Sequence, residues 1–389
     1  MSRPLRLLIV LAIAAGLLGA AIVLFGSGGS QAPPFGRPAA RPAAGPAFLG
    51  LAAPELIALP RAQLDQTLDA QLRLRVGLIR QTFDWAQIER SPGRYDFRRY
   101  DALMQGLAAR GLAMLPVLFD PPAFRSSRPA HGARDGTYPP RRFADLGAFA
   151  AVAVRRYGPA GSFWRSHPRL PRVPIRAWQV WNEPSLPVYW PSGPDPAAYA
   201  RLLGITARAI RGADPHATVV SAGIPQSRIG VPFGRYVQGL YRAGARGSFD
   251  VLAIHAYARN AAGVLAAVAQ ARRLMDGHGD HRPIWVTELG WASGGPPSAF
   301  TAGLAGQAQR TYSALVELAQ RRSRLRLRGV VYSTWIDGGV YPGGTDFWGL
   351  HTGLLSIAGR PKPAYYAFQR AADRVAELLE RPAGHRQAK

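Results

Sequence analysis

The feature that most constrains the fold is a repeated alternation of short apolar strands and amphipathic helices, which runs from residue 48 to residue 380. Such alternation favours a mostly parallel sheet covered by helices, and eight strand–helix units are the number that closes a barrel. We therefore predict an α/β fold, a (β/α)8 TIM barrel, for residues 48–380. The strands are predicted at 48–51, 76–82, 113–119, 176–181, 218–222, 249–256, 284–287 and 327–335.

Length and composition agree with one large domain of this kind. The chain has 389 residues, of which 48% are hydrophobic, so a barrel-sized core can form. It contains no cysteine, which excludes disulfides and thiolate metal sites. No cluster of histidine and carboxylate residues in the sequence suggests a metal site, so we predict neither a metal nor a cofactor.

The formal net charge is +25 and is carried almost entirely by arginine, since lysine occurs only at positions 362 and 389. The arginines are scattered and no nucleic-acid-binding motif accompanies them, so we do not expect a nucleic-acid partner. The densest run, at residues 321–328, is typical of a solvated helix end that leads into a strand. A weak contact of this run with an anionic membrane or polymer stays open.

The first 47 residues lie outside the barrel pattern. Arg3 and Arg6 precede an uncharged apolar run at residues 7–25, which is the pattern of an export signal with its N-terminus in the cytoplasm. The run approaches the roughly 20 residues that span a bilayer and exceeds the roughly 7–15 of a signal-peptide core. Residues 1–25 are therefore predicted to be an uncleaved membrane anchor, and cleavage near Ser30 or Ala32 is the alternative.

The segments on either side of the barrel have no apolar pattern of their own. Residues 26–47 are rich in Gly, Pro and Ala and are predicted to be a flexible tether. Residues 381–389 are predicted to be a disordered tail. We thus expect a single-pass protein of the cell membrane with its barrel outside, or a secreted protein if the N-terminal segment is cleaved, and we expect a monomer.

Two of the predicted strands end in a carboxylate. The fourth leads into Asn182-Glu183-Pro184, where Pro184 cannot extend a ladder, and the seventh leads to Glu288 in the stretch Thr-Glu-Leu-Gly-Trp. Catalytic groups of barrel enzymes lie at the carboxyl ends of the strands. Two carboxylates there suit glycosidic bond cleavage, in which one protonates the leaving oxygen and the other attacks the anomeric carbon or activates water.

These two motifs resemble those of the clan A glycoside hydrolases, with families 39 and 5 nearest, and the resemblance spans about residues 48–375. It implies cleavage with retention of configuration, Glu183 as the acid/base and Glu288 as the nucleophile. It further implies that Asn182 binds the 2-hydroxyl of the sugar. Tyr257 is similar to the tyrosine that hydrogen-bonds the nucleophile in these enzymes and keeps it ionised.

Further candidate residues follow from position and residue type. His255 faces the same side of its strand as Tyr257, although a core histidine would fit equally well. Arg80 is predicted to lie below the nucleophile and lower its pKa, or to form an ion pair in the barrel core. Because sugars bind aromatic platforms, Trp335 is predicted to line the cleavage subsite and Trp291 a further subsite. Weaker candidates are two further tryptophans and two aspartates: Trp190, Trp348, Asp337 and Asp346.

The sequence therefore predicts a glycoside hydrolase acting on a carbohydrate, in particular a β-linked oligosaccharide or polysaccharide. One alternative is a non-catalytic carbohydrate-binding barrel, which would not need both carboxylates and the asparagine. A second alternative is a transglycosylase, in which a sugar acceptor replaces water at the same site.

Overall fold

The computed structural model describes residues 47–131, 136–340 and 344–380. The predicted anchor, nearly all of the predicted tether and the predicted tail lie outside these residues. Among the helices in the described part of the chain, none is both long enough and apolar enough to cross a membrane.

Nine parallel strands form one curled sheet, which confirms the predicted TIM-barrel class. Their order is β7-β6-β5-β2-β1-β11-β10-β9-β8. A short antiparallel hairpin, β3 with β4, follows β2. The strands are β1 Leu49–Ala52, β2 Leu78–Asp84, β3 Glu89–Ser91, β4 Arg94–Tyr95, β5 Ala113–Phe119, β6 Ala177–Val180, β7 Thr218–Val220, β8 Ile224–Pro225, β9 Leu252–His255, β10 Ile284–Leu289 and β11 Leu327–Ser333.

Helices cover the outside of the sheet, as the amphipathic segments predict. Local signals fix several of their starts: Asp195 accepts a hydrogen bond from Ala197 N at the start of α6, and Asn260 accepts one from Gly263 N at the start of α8. The helices are α1 Arg61–Arg73, α2 Trp85–Ile88, α3 Arg98–Ala108, α4 Phe143–Tyr157, α5 Ser162–Ser166, α6 Pro196–Ala213, α7 Phe233–Arg242, α8 Ala261–Gly277, α9 Gly303–Gln320, α10 Arg322–Leu325 and α11 Pro363–Glu380.

The fifth barrel strand is split into β7 and β8, which lie at the two ends of the sheet order and thereby join it into a barrel. A parallel bridge pairs Val220 of β7 with Val251 just before β9, and Ser221 N donates to Val251 O at 3.0 Å. The predicted strand 218–222 therefore stops early. The reason is that Ala222 N donates to the Tyr199 hydroxyl of α6 at 2.6 Å rather than to a neighbouring strand.

The barrel interior is layered along its axis. Its lower layer is a small apolar cluster that takes a side chain from every barrel strand: Ala52, Leu78, Leu115, Ala177, Val220, Ala253, Trp285 and Val331. Because side chains alternate along a strand, the residue two positions later also points inward, one level nearer the carboxyl ends. On five strands that residue is polar: Arg80, Gln179, His255, Thr287 and Ser333. The sequence thus places an apolar floor beneath a polar layer.

Candidate active site

The exit of β6 turns sharply and delivers Asn182 and Glu183 to the barrel mouth. Trp181 and Glu183 have positive φ angles of 73° and 40°, so the strand ends at Val180, one residue before its predicted end. Non-glycine residues adopt this conformation at a cost, and such strain concentrates at functional sites. Tyr199 stabilises the turn, since its hydroxyl donates to Val180 O at 2.8 Å.

The exit of β10 delivers Glu288 through an irregularity in the ladder. Val286 pairs with Ile254 of β9, but Glu288 pairs with the next residue, His255, so Thr287 is an extra residue on β10. As a result, two consecutive side chains, Thr287 and Glu288, both reach the polar layer inside the barrel. Strict alternation would have directed one of them outward.

Arg80 of β2 forms hydrogen bonds to side chains at the exits of both β6 and β10. Its guanidinium donates to Gln179 Oε1 at 2.8 Å, to Glu288 Oε1 at 2.6 Å and to Asn182 Oδ1 at 2.9 Å. Gln179 in turn donates to Ser221 O and to Thr287 Oγ1. Since Asn182 Oδ1 is held by Arg80, the amide N–H groups of Asn182 are left to donate to another acceptor.

Glu288 lies in surroundings that favour its ionised form. Tyr257 donates its hydroxyl to Glu288 Oε2 at 2.8 Å, so with Arg80 on Oε1 both carboxylate oxygens are held. Burial alone would raise the pKa of Glu288, but the charges of His255 and Arg80 and the hydrogen bonds from Tyr257 and Arg80 outweigh burial and hold that pKa below its ordinary value. This is the state required of a nucleophile.

Glu183 lies in surroundings that favour its protonated form. Burial raises the pKa of Glu183 above its ordinary value, and the negative charge of Glu288 raises it further, against the opposing effects of His255 and Arg80. His255 Nδ1 lies 2.6 Å from Glu183 Oε1. A hydrogen bond over this contact requires one proton, carried by either the carboxyl oxygen or the imidazole nitrogen.

His255 stands between the two carboxyl groups. Its Nε2 lies 3.5 Å from Glu288 Oε1, and the three ligand atoms contributed by Glu183, His255 and Glu288 all lie within 4.8 Å of one another. Gly223, in the break of the fifth strand, makes room for the ring, because a Cβ there would lie 1.9 Å from His255 Nε2. The catalytic pair is buried, with exposed fractions of 4% for Glu183 and 2% for Glu288.

The same three groups have the geometry of a possible cation site. The charge of the guanidinium on Glu288 Oε1 opposes a cation there, and the short contact between His255 and Glu183 already occupies the two facing ligand atoms. We therefore keep the prediction that this site works without a metal, and activity in the presence of a chelator tests it.

Six of the eight predicted site residues thus meet in one network, and the two tryptophans do not. Trp291 has no exposed surface and its indole N–H donates to Ala258 O at 2.7 Å, so it packs in the core beside the site, and its role in a sugar subsite stays a prediction. Trp335 is 3% exposed and packs beside Tyr365 of α11, with ring centroids 6.1 Å apart. The platform role predicted for Trp335 therefore stays a prediction.

The weaker candidates divide in the same way. Trp190 is buried among aromatic rings, and Asp337 holds Lys362 Nζ at 2.8 Å and 3.0 Å, so its carboxylate is occupied. Asp346 is paired with His351 at 2.7 Å. Trp348 alone is partly exposed next to the network, since its ring lies 5.1 Å from that of Tyr257.

Three residues of the site were missed from the sequence. Gln179 lies inside the fourth predicted strand, 176–181, and a Gln within an apolar strand is a signal that could have found it. Phe300 lies 4.6 Å from the Trp348 ring and completes an aromatic cluster with Tyr257, but no local pattern marks it. Asp120, at the exit of β5, has a φ of 59°, and burial together with the nearby Asp84 raises its pKa to about 7.

Comparison with known proteins bears directly on this site. Residues 174–324 match the family model of the glycosyl hydrolase catalytic core, and this stretch contains both Glu183 and Glu288. Among curated proteins, none matches the sequence.

Solved structures share the fold. A family 39 glycoside hydrolase from Bacteroides cellulosilyticus WH2 is 19% identical, with a TM-score of 0.59 over 84% of this chain and 63% of that one. A monomeric beta-xylosidase from Caulobacter crescentus CB15 is 20% identical, with a TM-score of 0.58 over 85% and 69%. A family 39 enzyme from Xanthomonas axonopodis pv. citri is 20% identical, with a TM-score of 0.60 over 89% and 71%.

This chain therefore spans only 63% to 71% of the length of these three structures. The resemblance to family 39 is confirmed, whereas the resemblance to family 5 stays a prediction. Residues 174–324 thus match the glycosyl hydrolase catalytic core, and the chain shares its barrel fold with these family 39 structures.

Proposed function

We propose that this protein hydrolyses β-linked glycosidic bonds with retention of anomeric configuration. The observation that carries the proposal is the pair of buried carboxyl groups whose oxygens lie within 4.8 Å of each other and whose pKa values are displaced in opposite directions. Retaining enzymes place their carboxyl groups about 5–5.5 Å apart, whereas inverting enzymes leave about 6.5–9.5 Å for a water molecule. The short separation here supports two displacements rather than one.

In the first step, the Glu183 carboxyl group donates its proton to the glycosidic oxygen as the bond from that oxygen to the anomeric carbon breaks. The Glu288 carboxylate attacks the same carbon and forms a glycosyl ester. Asn182 donates to the 2-hydroxyl, and this bond strengthens in the transition state. The loss of its proton leaves Glu183 ionised, with Glu183 Oε1 still facing His255 Nδ1.

In the second step, Glu183 removes a proton from a water molecule that attacks the anomeric carbon. The ester bond to Glu288 breaks, and the Glu288 carboxylate regains its hydrogen bonds from Arg80 and Tyr257. Glu183 ends the cycle protonated, so each group returns to the state that its surroundings favour.

The stereochemistry of the first product tests this function. An aryl β-glycoside hydrolysed in the presence of the full chain is expected to release the β-sugar first, as followed by proton NMR before mutarotation. A slow 2-fluoro substrate is expected to attach to the peptide that contains Glu288. Release of the α-sugar would contradict retention, and complete inactivity on all β-glycosides would favour a carbohydrate-binding barrel. Products longer than the substrate when an acceptor is added would favour transglycosylation.

The aromatic cluster of Tyr257, Phe300 and Trp348 is proposed to be the platform for the sugar next to the cleaved bond. Trp348→Ala is expected to raise KM about tenfold with little change in Tm, since an aromatic contact contributes about 0.5–1.5 kcal/mol. Trp291→Ala, in contrast, is expected to lower stability by about 3–5 kcal/mol because it empties a buried site. If Trp348→Ala and Trp291→Ala raised KM equally, Trp348 would not be part of a sugar platform distinct from the core.

We further propose that residues 1–25 anchor a monomeric barrel to the membrane with the active site outside. The basic flank and the long apolar run support the anchor, and a monomeric beta-xylosidase of the same fold supports the monomer. Full-length protein is expected to sediment with membranes in high salt. A soluble form that begins near residue 31 would show a cleaved signal instead.

A further inference from the structure

The two ends of the barrel differ in charge. The end opposite the active site, here called the basal face, is built from the segments that lead from helices into strands. Two of these segments, 158–176 before β6 and 321–328 before β11, contain no Asp or Glu. They carry the arginines Arg165, Arg169, Arg172, Arg176, Arg321, Arg322, Arg324, Arg326 and Arg328.

These guanidinium groups face solvent with their charge largely uncompensated. All of them are exposed except Arg322, which is half-buried. Within the described ranges only Arg321 has a carboxylate partner, Glu317 at 3.4 Å. Several others donate to backbone carbonyls, as Arg326 does to His281 O at 3.1 Å, and such bonds fix the position of a guanidinium without neutralising it.

Basic groups at the mouth are arranged differently. Arg98 pairs with Asp96, Arg125 with Glu89 and Lys362 with Asp337, each within 3.0 Å. These pairs cancel part of the charge at the mouth, where arginines such as Arg90 and Arg99 have no carboxylate partner among the described residues, whereas segments 158–176 and 321–328 have no carboxylate of their own.

The chain enters the barrel at this same face. Phe48 O accepts a hydrogen bond from Val330 N at 2.7 Å, and the Cβ position of Gly329 lies 3.4 Å from Ala47 O. The described chain therefore starts, at residue 47, directly beside segment 321–328. If residues 1–25 anchor the chain in a membrane, the barrel is attached to that anchor through its basal face.

We propose that the basal face binds an anionic lipid bilayer and directs the active site away from the membrane. Guanidinium groups donate paired hydrogen bonds to lipid phosphates, and an anionic surface attracts unpaired cations within a Debye length of about 8–10 Å. The orientation leaves the mouth open to a long polymer that cannot enter the space against the bilayer. The tether proposed above supports the inference, which is independent of the glycosidase reaction.

The absence of cysteine from the chain allows a direct test with single labels. Full-length Ser323→Cys carries a fluorophore on the basal face, and full-length Ala123→Cys carries it in the loop after β5 at the mouth. Each protein is reconstituted into vesicles that contain a lipid with a quencher on its headgroup. The vesicles are phosphatidylcholine alone, or phosphatidylcholine and phosphatidylglycerol in equal amounts.

We expect strong quenching of the label at 323 in the anionic vesicles, less in the neutral vesicles and little at 123 in either. Arg169→Gln, Arg176→Gln and Arg324→Gln together should return the label at 323 to its neutral-vesicle value. The matched control, Arg90→Gln with Arg99→Gln and Arg259→Gln at the mouth, removes equal charge and should change little. Hydrolysis of a small aryl glycoside should be unaffected by the basal substitutions, which shows that the barrel is folded.

Equal quenching of the two labels would overturn the proposal, as would equal effects of the basal and mouth substitutions. If a soluble acidic polysaccharide, added in the presence of little anionic lipid, abolished the quenching, the basal face would bind a polymer rather than the bilayer. If the protein floats only with anionic vesicles, and does so in an arginine-dependent way, the basal contact stands and the membrane anchor fails. Loss of aryl glycosidase activity in the unsubstituted protein would affect the proposed function alone.

Discussion

The exits of β6 and β10 present the same chemical group to the barrel mouth in opposite settings. Glu288 is surrounded by donors, Arg80 on one oxygen and Tyr257 on the other, whereas Glu183 meets only the ring of His255. Both carboxyl groups are almost fully buried, so burial cannot explain why their pKa values move in opposite directions. The difference in donors therefore explains the opposite directions of the two pKa shifts, and it supports the proposed roles of Glu183 as acid and Glu288 as nucleophile.

Removal of Glu288 should have the largest effect. Glu288→Gln keeps the shape of the side chain but removes the nucleophile, and kcat/KM is expected to fall by about 10⁵-fold for substrates with good and poor leaving groups alike. Steady-state kinetics on a matched pair of aryl glycosides measures this loss. Retention of activity on either substrate would place the nucleophile elsewhere.

Removal of Glu183 should have a smaller effect that depends on the leaving group. Glu183→Ala is expected to lose about 10²–10⁴-fold on a poor leaving group, but the first step survives on an activated aryl glycoside. The glycosyl enzyme should then accumulate, and azide should release it as a β-glycosyl azide. Rescue of Glu288→Ala to a β-product, with Glu183→Ala unresponsive, would reverse the assigned roles.

Arg80→Met tests whether the donors set the difference between the two carboxyl groups. Because Arg80 lowers the pKa of Glu288, its loss should raise that pKa, so the acidic limb of the pH profile moves to higher pH. The pH dependence of kcat/KM measures the shift. Tyr257→Phe is the matched comparison, since it removes one hydrogen bond to Glu288 without removing a charge. An unmoved acidic limb in Arg80→Met would contradict this explanation.

His255→Gln should have the smallest effect and the most specific one. The charge of His255 lowers the pKa of both carboxyl groups, so its loss should raise both pKa values. Both limbs of the pH profile of kcat/KM should then shift to higher pH, and the pH interval between them should stay the same. A profile that shifts on its alkaline side alone would show that His255 acts on Glu183 only. If the pH profile of kcat/KM were unchanged and the Tm lowered, His255 would be a structural core residue rather than a residue that sets the two pKa values.

Much of this site could be predicted because a barrel converts position in the sequence into position in space. Glu183 and Glu288 were found since each follows an apolar strand, and Tyr257 with His255 followed from alternation on one strand. Gln179 and Phe300 were not found, because their partners lie on other strands and loops and no local pattern encodes such contacts. The complete burial of Trp291 could not be predicted either, because the sequence does not distinguish an aromatic residue in the core from one that lines a pocket.

The break in the fifth strand has a consequence for which sequence changes this protein can tolerate. Position 223 carries no reactive atom and contacts no substrate, yet any side chain there would collide with the His255 ring that stands between the two carboxyl groups. Gly223→Ala thus changes none of the residues of the site network, yet it displaces the ring of His255. In a screen of all single substitutions for activity, we expect Gly223 to tolerate as few substitutions as Glu183 and Glu288.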